Sequence, residues 1–191
     1  MQVTPTVLPG VLILAPKVFA DARGFFLESF NERRFVEAIG APVRFVQDNH
    51  SRSSRGTLRG LHLQRTRLQG KLLRVIEGEI FDVAVDVRNG SPNFAKWVGV
   101  TLSATIFLQL YVPPGVAHGF AVISETAQVE YKCTELYAPA DELTVRWDDP
   151  QIGIEWPIDN PLLSPKDQSA KSLGELIELL PRYDSTSEEG Q

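Results

Sequence analysis

Cysteine is almost absent from this 191-residue chain: the single copy, Cys133, excludes an internal disulfide framework and any zinc site built from four thiolates. An excess of positive charge is missing too. Nineteen Lys and Arg against 24 Asp and Glu leave a net charge of -5, so no overall basic field draws the chain to nucleic acid or to an anionic membrane. The N-terminus lacks a basic n-region, and its short apolar run Val11 to Ala15 is stopped by Pro16, so no export signal is visible and the cytoplasm is the expected compartment. No G-x-G-x-x-G follows a strand, and no phosphate-binding G-x-x-x-x-G-K-[ST], H-E-x-x-H or G-x-S-x-G occurs, which disfavours Rossmann redox chemistry, nucleotide hydrolysis, zinc proteolysis and serine hydrolysis. Trp97 to Ser124 contains no Asp, Glu, Lys or Arg, yet Pro113-Pro114-Gly115 and His118 interrupt it. It reads as two buried strands around a turn rather than a membrane span.

What is present is an ordinary globular composition, 43% hydrophobic and 23% charged, with enough length for one substantial core. Strand patterns dominate. From Ile80 to Val87, Phe81, Val83, Val85 and Val87 alternate with Ile80, Asp82, Ala84 and Asp86, so one face is apolar and the other carries two carboxylates. Asn89-Gly90-Ser91-Pro92 then supplies turn chemistry. Further strands are expected at 11–14, 24–29, 43–47, 71–77, 98–102, 108–112, 119–123 and 129–134. Helices are few: Asn31 to Ile39 has an Asn cap and Gly40 as its stop, and Leu173 to Leu180 aligns Leu173, Leu176, Ile177 and Leu180 before Pro181. Nothing between the strands is long enough for repeated βαβ crossovers. The pattern predicts a mainly β protein, a jelly roll with a few peripheral helices, as one domain over residues 1–183 followed by a disordered tail, 184–191.

Positive charge is concentrated. Residues 49–76 hold Arg52, Arg55, Arg59, Arg65, Arg67, Lys71 and Arg74, two histidines and no acid, which suits recognition of a phosphate or carboxylate. No Phe, Tyr or Trp occurs from Val46 to Ile80, so the stacking platforms of a single-strand nucleic-acid site are missing and a small phosphorylated metabolite is the expected ligand. His62 in Arg59-Gly60-Leu61-His62-Leu63-Gln64 and His118 in Pro113-Pro114-Gly115-Val116-Ala117-His118 both lie beside turn residues, and together they resemble the two motifs of the cupin superfamily. Metal-binding cupins place a second His where this chain has Gln64. Two imidazoles without a third ligand point to metal-free acid/base chemistry.

Several longer segments resemble one family, the dTDP-4-dehydrorhamnose 3,5-epimerases of nucleotide-sugar biosynthesis: Asp21 to Glu28, Phe45 to Ser51, Arg55 to His62, Gln69 to Val75, Arg146 to Pro150 and Leu163-Ser164-Pro165-Lys166-Asp167, in order along the chain. The resemblance implies a cupin-like jelly-roll barrel that inverts C3 and C5 of a dTDP-4-keto-6-deoxy sugar without cofactor or metal. It assigns the base to His62, oriented by Asp167, the opposing acid to Tyr131, and stabilisation of the C4 enolate to Lys71. Arg23, Glu28, Gln47, Asn49 and Arg59 are implied to bind the nucleotide, with Tyr137 stacking on thymine, Glu142 and Lys166 at the rim and His118 beside the pocket. The implied assembly is a homodimer whose N-terminal region carries Arg23 and Glu28 to the partner's site. Read from the residues alone, Tyr131 is equally a core phenol and Lys71 a snorkelling surface lysine. A 3- or 5-mono-epimerase would use the same His62, Tyr131 and Lys71, and a non-catalytic nucleotide-sugar binding module remains a further alternative. Three positions depart from the family pattern: Leu63 replaces an aromatic, Val116 replaces Phe, and Thr105 to Leu108 is an apolar turn. The first two are expected to reshape the sugar pocket and the third to form an extra contact surface.

Overall fold

A computed structural model of the chain describes residues 1–183; the tail expected to be disordered, 184–191, lies outside the described residues. Two antiparallel sheets face each other. The first contains β1 (Gln2–Pro5), β2 (Leu12–Ala15), β5 (Gln47–Ser54), β7 (Lys71–Glu77), β10 (Gln109–Val112) and β12 (Thr126–Cys133), in the spatial order β1-β2-β10-β7-β12-β5. The second contains β6 (Leu58–Gln64), β8 (Glu79–Asp86), β9 (Trp97–Ser103), β11 (Val116–Val122) and β13 (Glu142–Thr144), in the order β13-β6-β11-β8-β9. A separate hairpin, β3 (Val18–Asp21) with β4 (Gly24–Leu27), stands apart from both. The predicted mainly β jelly-roll architecture is the one observed, and no helix of the described residues is long and apolar enough to cross a membrane.

Alternation along each strand decides what fills the space between the sheets. Leu73, Val75, Leu110, Val112, Ala127 and Val129 from the first sheet meet Ile80, Ala84, Leu102, Val116, Phe120 and Val122 from the second in one buried cluster. Burying each Val, Leu, Ile or Phe of this cluster stabilises by about 1.5–3 kcal/mol before entropic costs. The outer faces are covered as well. On the first sheet, α1 (Glu32–Ile39) seats Phe35 and Ile39 against Leu14, Leu72 and Tyr111; Asn31 caps the helix and Gly40, at φ 76°, ends it. On the second, Leu173 and Leu176 of α3 (Leu173–Leu176) pack with Val83, Val85 and Val87. The apolar face of β8 is therefore turned to these outer layers, while Asp82 and Asp86 are buried on the opposite face.

Several boundaries differ from expectation. Residues 42–46 form no strand; pairing begins at Gln47 and continues to Ser54 through a segment without one large apolar residue. The C-terminal helix ends at Leu176 and turns follow, because Leu173, Leu176, Ile177 and Leu180 are satisfied by packing without a continuous helix. The apolar turn after β9 is roofed by the hairpin of its own chain: the ring of Phe107 lies 4.6 Å from that of Phe25, with Ile106 left exposed.

Candidate active site

The same alternation that builds the core changes chemistry toward one end of β7 and β12. Val75 and Leu73 face the core, and the next inward position on β7 is Lys71; on β12, Ala127 and Val129 give way to Tyr131 and Cys133. In the antiparallel register Lys71 is opposite Cys133, Tyr131 is opposite Asn49, and Cys133 is opposite Gln47, so these side chains share the inner face. Neighbouring β5 presents Gln47, Asn49, Ser51 and Ser53 inward and Asp48, His50, Arg52 and Ser54 outward.

The facing wall comes from β6 and β11. His62 and His118 are direct cross-strand neighbours. The register then shifts, pairing Phe120 with Arg59, which brings Arg59 and His62 to one face although they are three residues apart. The shift requires close approach of two glycines. A Cβ on Gly60, at φ 135°, would lie 2.6 Å from the Cα of Gly119, and one on Gly119 would lie 2.8 Å from the Arg59 carbonyl oxygen.

Between the walls is a cavity of about 340 Å³ lined by Gln47, Asn49, Ser51, Arg59, His62, Gln69, Lys71, His118, Phe120, Tyr131, Tyr137, Glu142 and Lys166. It brings together most of the residues singled out in the sequence. Asp167 stands behind the wall: His62 Nε2 donates to its Oδ1 at 2.6 Å, and the carboxylate side chain is only 2% exposed. Ser164 completes the arrangement. Its Oγ donates to Asp167 Oδ2 at 2.7 Å and accepts from the Asp167 N–H at 3.2 Å, capping α2 (Pro165–Gln168). With Nε2 carrying the proton shared with Asp167, Nδ1 is the basic nitrogen of the neutral ring.

Electrostatics follow from burial. Desolvation pushes His62 below its ordinary value of 6.5, outweighing the opposing bond and charge of Asp167, so the imidazole is neutral near pH 7. Burial would raise Asp167, but its bonds with His62 and Ser164 win and hold the carboxyl below the usual range. Lys71 is pushed down by burial, with Cys133, Glu142 and Asp82 pulling the other way; its Nζ is 3.5 Å from the His62 carbonyl oxygen. Burial pushes the Tyr131 phenol above 10, which keeps it protonated. The Cys133 thiol is pushed up mainly by burial and accepts from Asn49 Nδ2 at 3.4 Å, as a packed thiol does.

At the rim, Glu142 accepts from the Tyr137 hydroxyl at 3.0 Å and from Lys166 Nζ at 2.8 Å. Arg59 Nε donates to Ser53 at 3.0 Å, Gln47 Nε2 to Asn49 at 3.0 Å, and His118 Nε2 lies 2.9 Å from the buried Asp82. Ser53, Asp82 and Ser164, the partners that orient these side chains, received no role in the sequence reading. Ser164 had a local signal, its position three residues before Asp167 with Pro165 next to it, and Asp82 lies on the carboxylate-bearing face of its strand pattern.

Two expectations need correction. Leu63 points out of the cavity and packs with Leu61, Val145 and Leu143 on the outer face of its sheet, and Val116 lies in the apolar core; neither lines the sugar pocket. Arg23 pairs with Asp21 on the exposed hairpin, and Glu28 pairs with Arg34 beside α1, so neither lines this chain's cavity. Gln64 is saturated by backbone groups, and among the described residues no three His, Cys, Asp or Glu side chains come together to hold a metal ion.

A family model for dTDP-4-dehydrorhamnose 3,5-epimerase matches residues 5–175. The chain belongs to this family. A dTDP-4-dehydrorhamnose 3,5-epimerase of Shigella flexneri is 56% identical over 87% of this chain and 93% of its own length. The Pseudomonas aeruginosa enzyme of the same name is 53% identical over 92% of this chain and 97% of its own. Among solved structures, the crystal structure of dTDP-6-deoxy-D-glucose-3,5-epimerase from Legionella pneumophila in complex with dTDP-4-keto-L-rhamnose superposes with a TM-score of 0.94, at 49% identity, covering 96% of this chain and 99% of that one. In family terms, the cavity between the two sheets of this member carries His62 on one wall and Lys71 and Tyr131 on the other.

Proposed function

We propose that the protein converts dTDP-4-dehydro-6-deoxy-D-glucose to dTDP-4-dehydro-L-rhamnose by inverting C3 and C5, with residues 1–183 acting as one domain in the cytoplasm. The observation that carries this reading is the placement of a neutral imidazole, His62, and a protonated phenol, Tyr131, on opposite sheets around one cavity. Inversion at carbon requires removal of a proton from one face and its return from the other, and a positioned acid or base contributes about 10²- to 10⁴-fold to such a step.

The C4 ketone acidifies the protons on C3 and C5. His62 takes one of them through Nδ1 and becomes imidazolium, which the Asp167 carboxylate stabilises. The electron pair moves onto the C4 oxygen, where the ammonium of Lys71 stabilises the enolate. Tyr131 then delivers its phenolic proton to the carbon from the opposite face. Exchange with solvent restores neutral His62 and protonated Tyr131, and the second carbon follows. Arg59, Gln47, Asn49 and Lys166 are proposed to hold the diphosphate and sugar, Tyr137 to stack on thymine with Glu142 fixing its hydroxyl, and His118 to bound the sugar beside His62.

Arg23 and Glu28 are proposed to act across a homodimer. Support comes from the hairpin that carries Arg23: Phe19, Phe25 and Phe26 on it are 53–68% exposed, too much apolar surface for a two-stranded ribbon that ends in solvent. The test of the activity is proton NMR of dTDP-4-keto-6-deoxyglucose incubated with EDTA-treated protein. Inversion at both carbons supports the double epimerase, inversion at one makes it a mono-epimerase, and an unchanged substrate that still binds makes it a binding module.

A further inference from the structure

Gln64 occupies the inward position two residues beyond His62, where metal-binding cupins carry a ligand, and it is 4% exposed. Its side chain serves the backbone of two loops. Nε2 donates to the carbonyl of Arg67 at 2.8 Å and to that of Leu136 at 3.2 Å, while Oε1 accepts the N–H of Ala138 at 2.6 Å. Leu136 and Ala138 flank Tyr137. The N–H of Tyr137 itself donates to Gln47 Oε1 at 2.9 Å, so three consecutive residues of this exposed segment are pinned by two glutamine side chains rising from the strands below.

We propose that Gln64 is a positioning residue for Tyr137: by gripping the chain on both sides of it, Gln64 sets the height and angle at which the Tyr137 ring closes over the nucleotide base. The arrangement is specific in its chemistry. Only a carboxamide offers, from one planar group, donors for two carbonyls and an acceptor for an N–H. A histidine at this position could not make all three bonds, and an apolar side chain would leave two carbonyls and an N–H without partners. Tyr137 is 48% exposed, and its hydroxyl is held by Glu142, so its placement is set by these contacts rather than by core packing. The same carboxamide ties the 65–70 loop to the 134–138 loop, where Gln69 Nε2 reaches the Glu135 carbonyl at 2.6 Å and Gly70 N–H reaches Thr134 Oγ1 at 2.7 Å.

This inference rests on the proposed stacking of Tyr137 on the base, and a double-mutant cycle on dTDP affinity separates the two claims. Titration calorimetry with dTDP is run on the parent, Gln64→Met, Tyr137→Ala and the double variant. The expected result is a rise in Kd of about tenfold for each single variant and a double variant within about twofold of Tyr137→Ala, because Gln64 acts through the ring. In turnover, Gln64→Met is expected to raise KM with kcat nearly unchanged, and Gln64→Glu, which keeps the acceptor for Ala138, to fall between it and the parent. Should Gln64→Met fold poorly, Gln64→Glu carries the same cycle. A double variant that shows the product of the two single effects overturns the inference, as does unaltered dTDP binding in Gln64→Met, or a fall in kcat at unchanged KM, which would place the action on His62. If Tyr137→Ala binds dTDP like the parent, the stacking role itself falls, and the inference with it.

Discussion

His62 Nε2 and Asp167 Oδ1 meet at 2.6 Å although 105 residues separate them in the chain. The carboxylate reaches the imidazole because Ser164 caps α2 and takes the other oxygen, leaving Asp167 one orientation. Asp167→Asn is expected to lower kcat/KM by about a hundredfold or more, since the amide no longer selects the tautomer or stabilises the imidazolium, while dTDP affinity stays near that of the parent. The sign of the pH effect follows from the same pair. Burial holds His62 below its ordinary value of 6.5, so the acid limb of activity is displaced to lower pH than for an ordinary imidazole, and activity is lost as pH falls and the base is protonated. Asp167 pulls the His62 value upward against burial. Asp167→Ala is therefore expected to move the acid limb of the residual kcat/KM to lower pH, and a shift to higher pH would contradict this account of the electrostatics.

Tyr131→Phe separates proton removal from inversion. The base on the opposite sheet remains, so deuterium from D2O is expected to enter C3 and C5 with retention while net inversion falls by about 10²- to 10⁴-fold. NMR of the recovered sugar distinguishes the outcomes. Equal losses of exchange and inversion would mean that the phenol acts before the enolate forms.

The placement of Arg23 on the exposed hairpin, outside this chain's cavity, gives a mixing experiment. Arg23→Ala and His62→Ala, each weakly active alone, are expected to regain about a quarter of parental turnover when unfolded and refolded together, because half of randomly formed dimers contain one site with both side chains. No gain on mixing would place Arg23 outside the partner's site.

The fold and the site were legible to different degrees. β8, whose apolar residues alternate with Asp82 and Asp86, and β7, whose Leu73 and Val75 follow Lys71 at every second position, are legible nearly to the residue, because one face of each packs in a core. β5 has the same burial alternation, but its inward row is Gln47, Asn49, Ser51 and Ser53, the first three of which line the cavity; periodicity of hydrophobicity cannot detect a strand whose buried side is polar. The strand was instead expected at 43–47, where Val43 and Phe45 pack on α1 from a segment without ladder pairing. The identity of His62 as a site residue was legible from its motif and from the charge around it. The outward direction of Leu63 was not, since it depends on which face of β6 is turned to the first sheet, a tertiary fact. Arg59 and His62, at an odd spacing, share a face only through the register shift at Gly60.

That shift has its own test. Gly119→Ala places a Cβ 2.8 Å from the Arg59 carbonyl oxygen and 3.1 Å from the Gly60 Cα, forcing β6 and β11 apart where His62 and His118 are paired. The variant is expected to lose about 1–3 kcal/mol of stability in denaturant unfolding, as overpacked sites do, and to lose turnover beyond what the unfolded fraction explains. Parental stability would mean that the strands part without strain.

The central claim is that solvent-exchangeable groups on two facing sheets remove and return the protons on C3 and C5. Mass spectrometry of the product formed in D2O tests it most directly. The account predicts two carbon-bound deuterium atoms per molecule of dTDP-4-dehydro-L-rhamnose, one at C3 and one at C5. Inverted product that retains its original hydrogens at both carbons would contradict it.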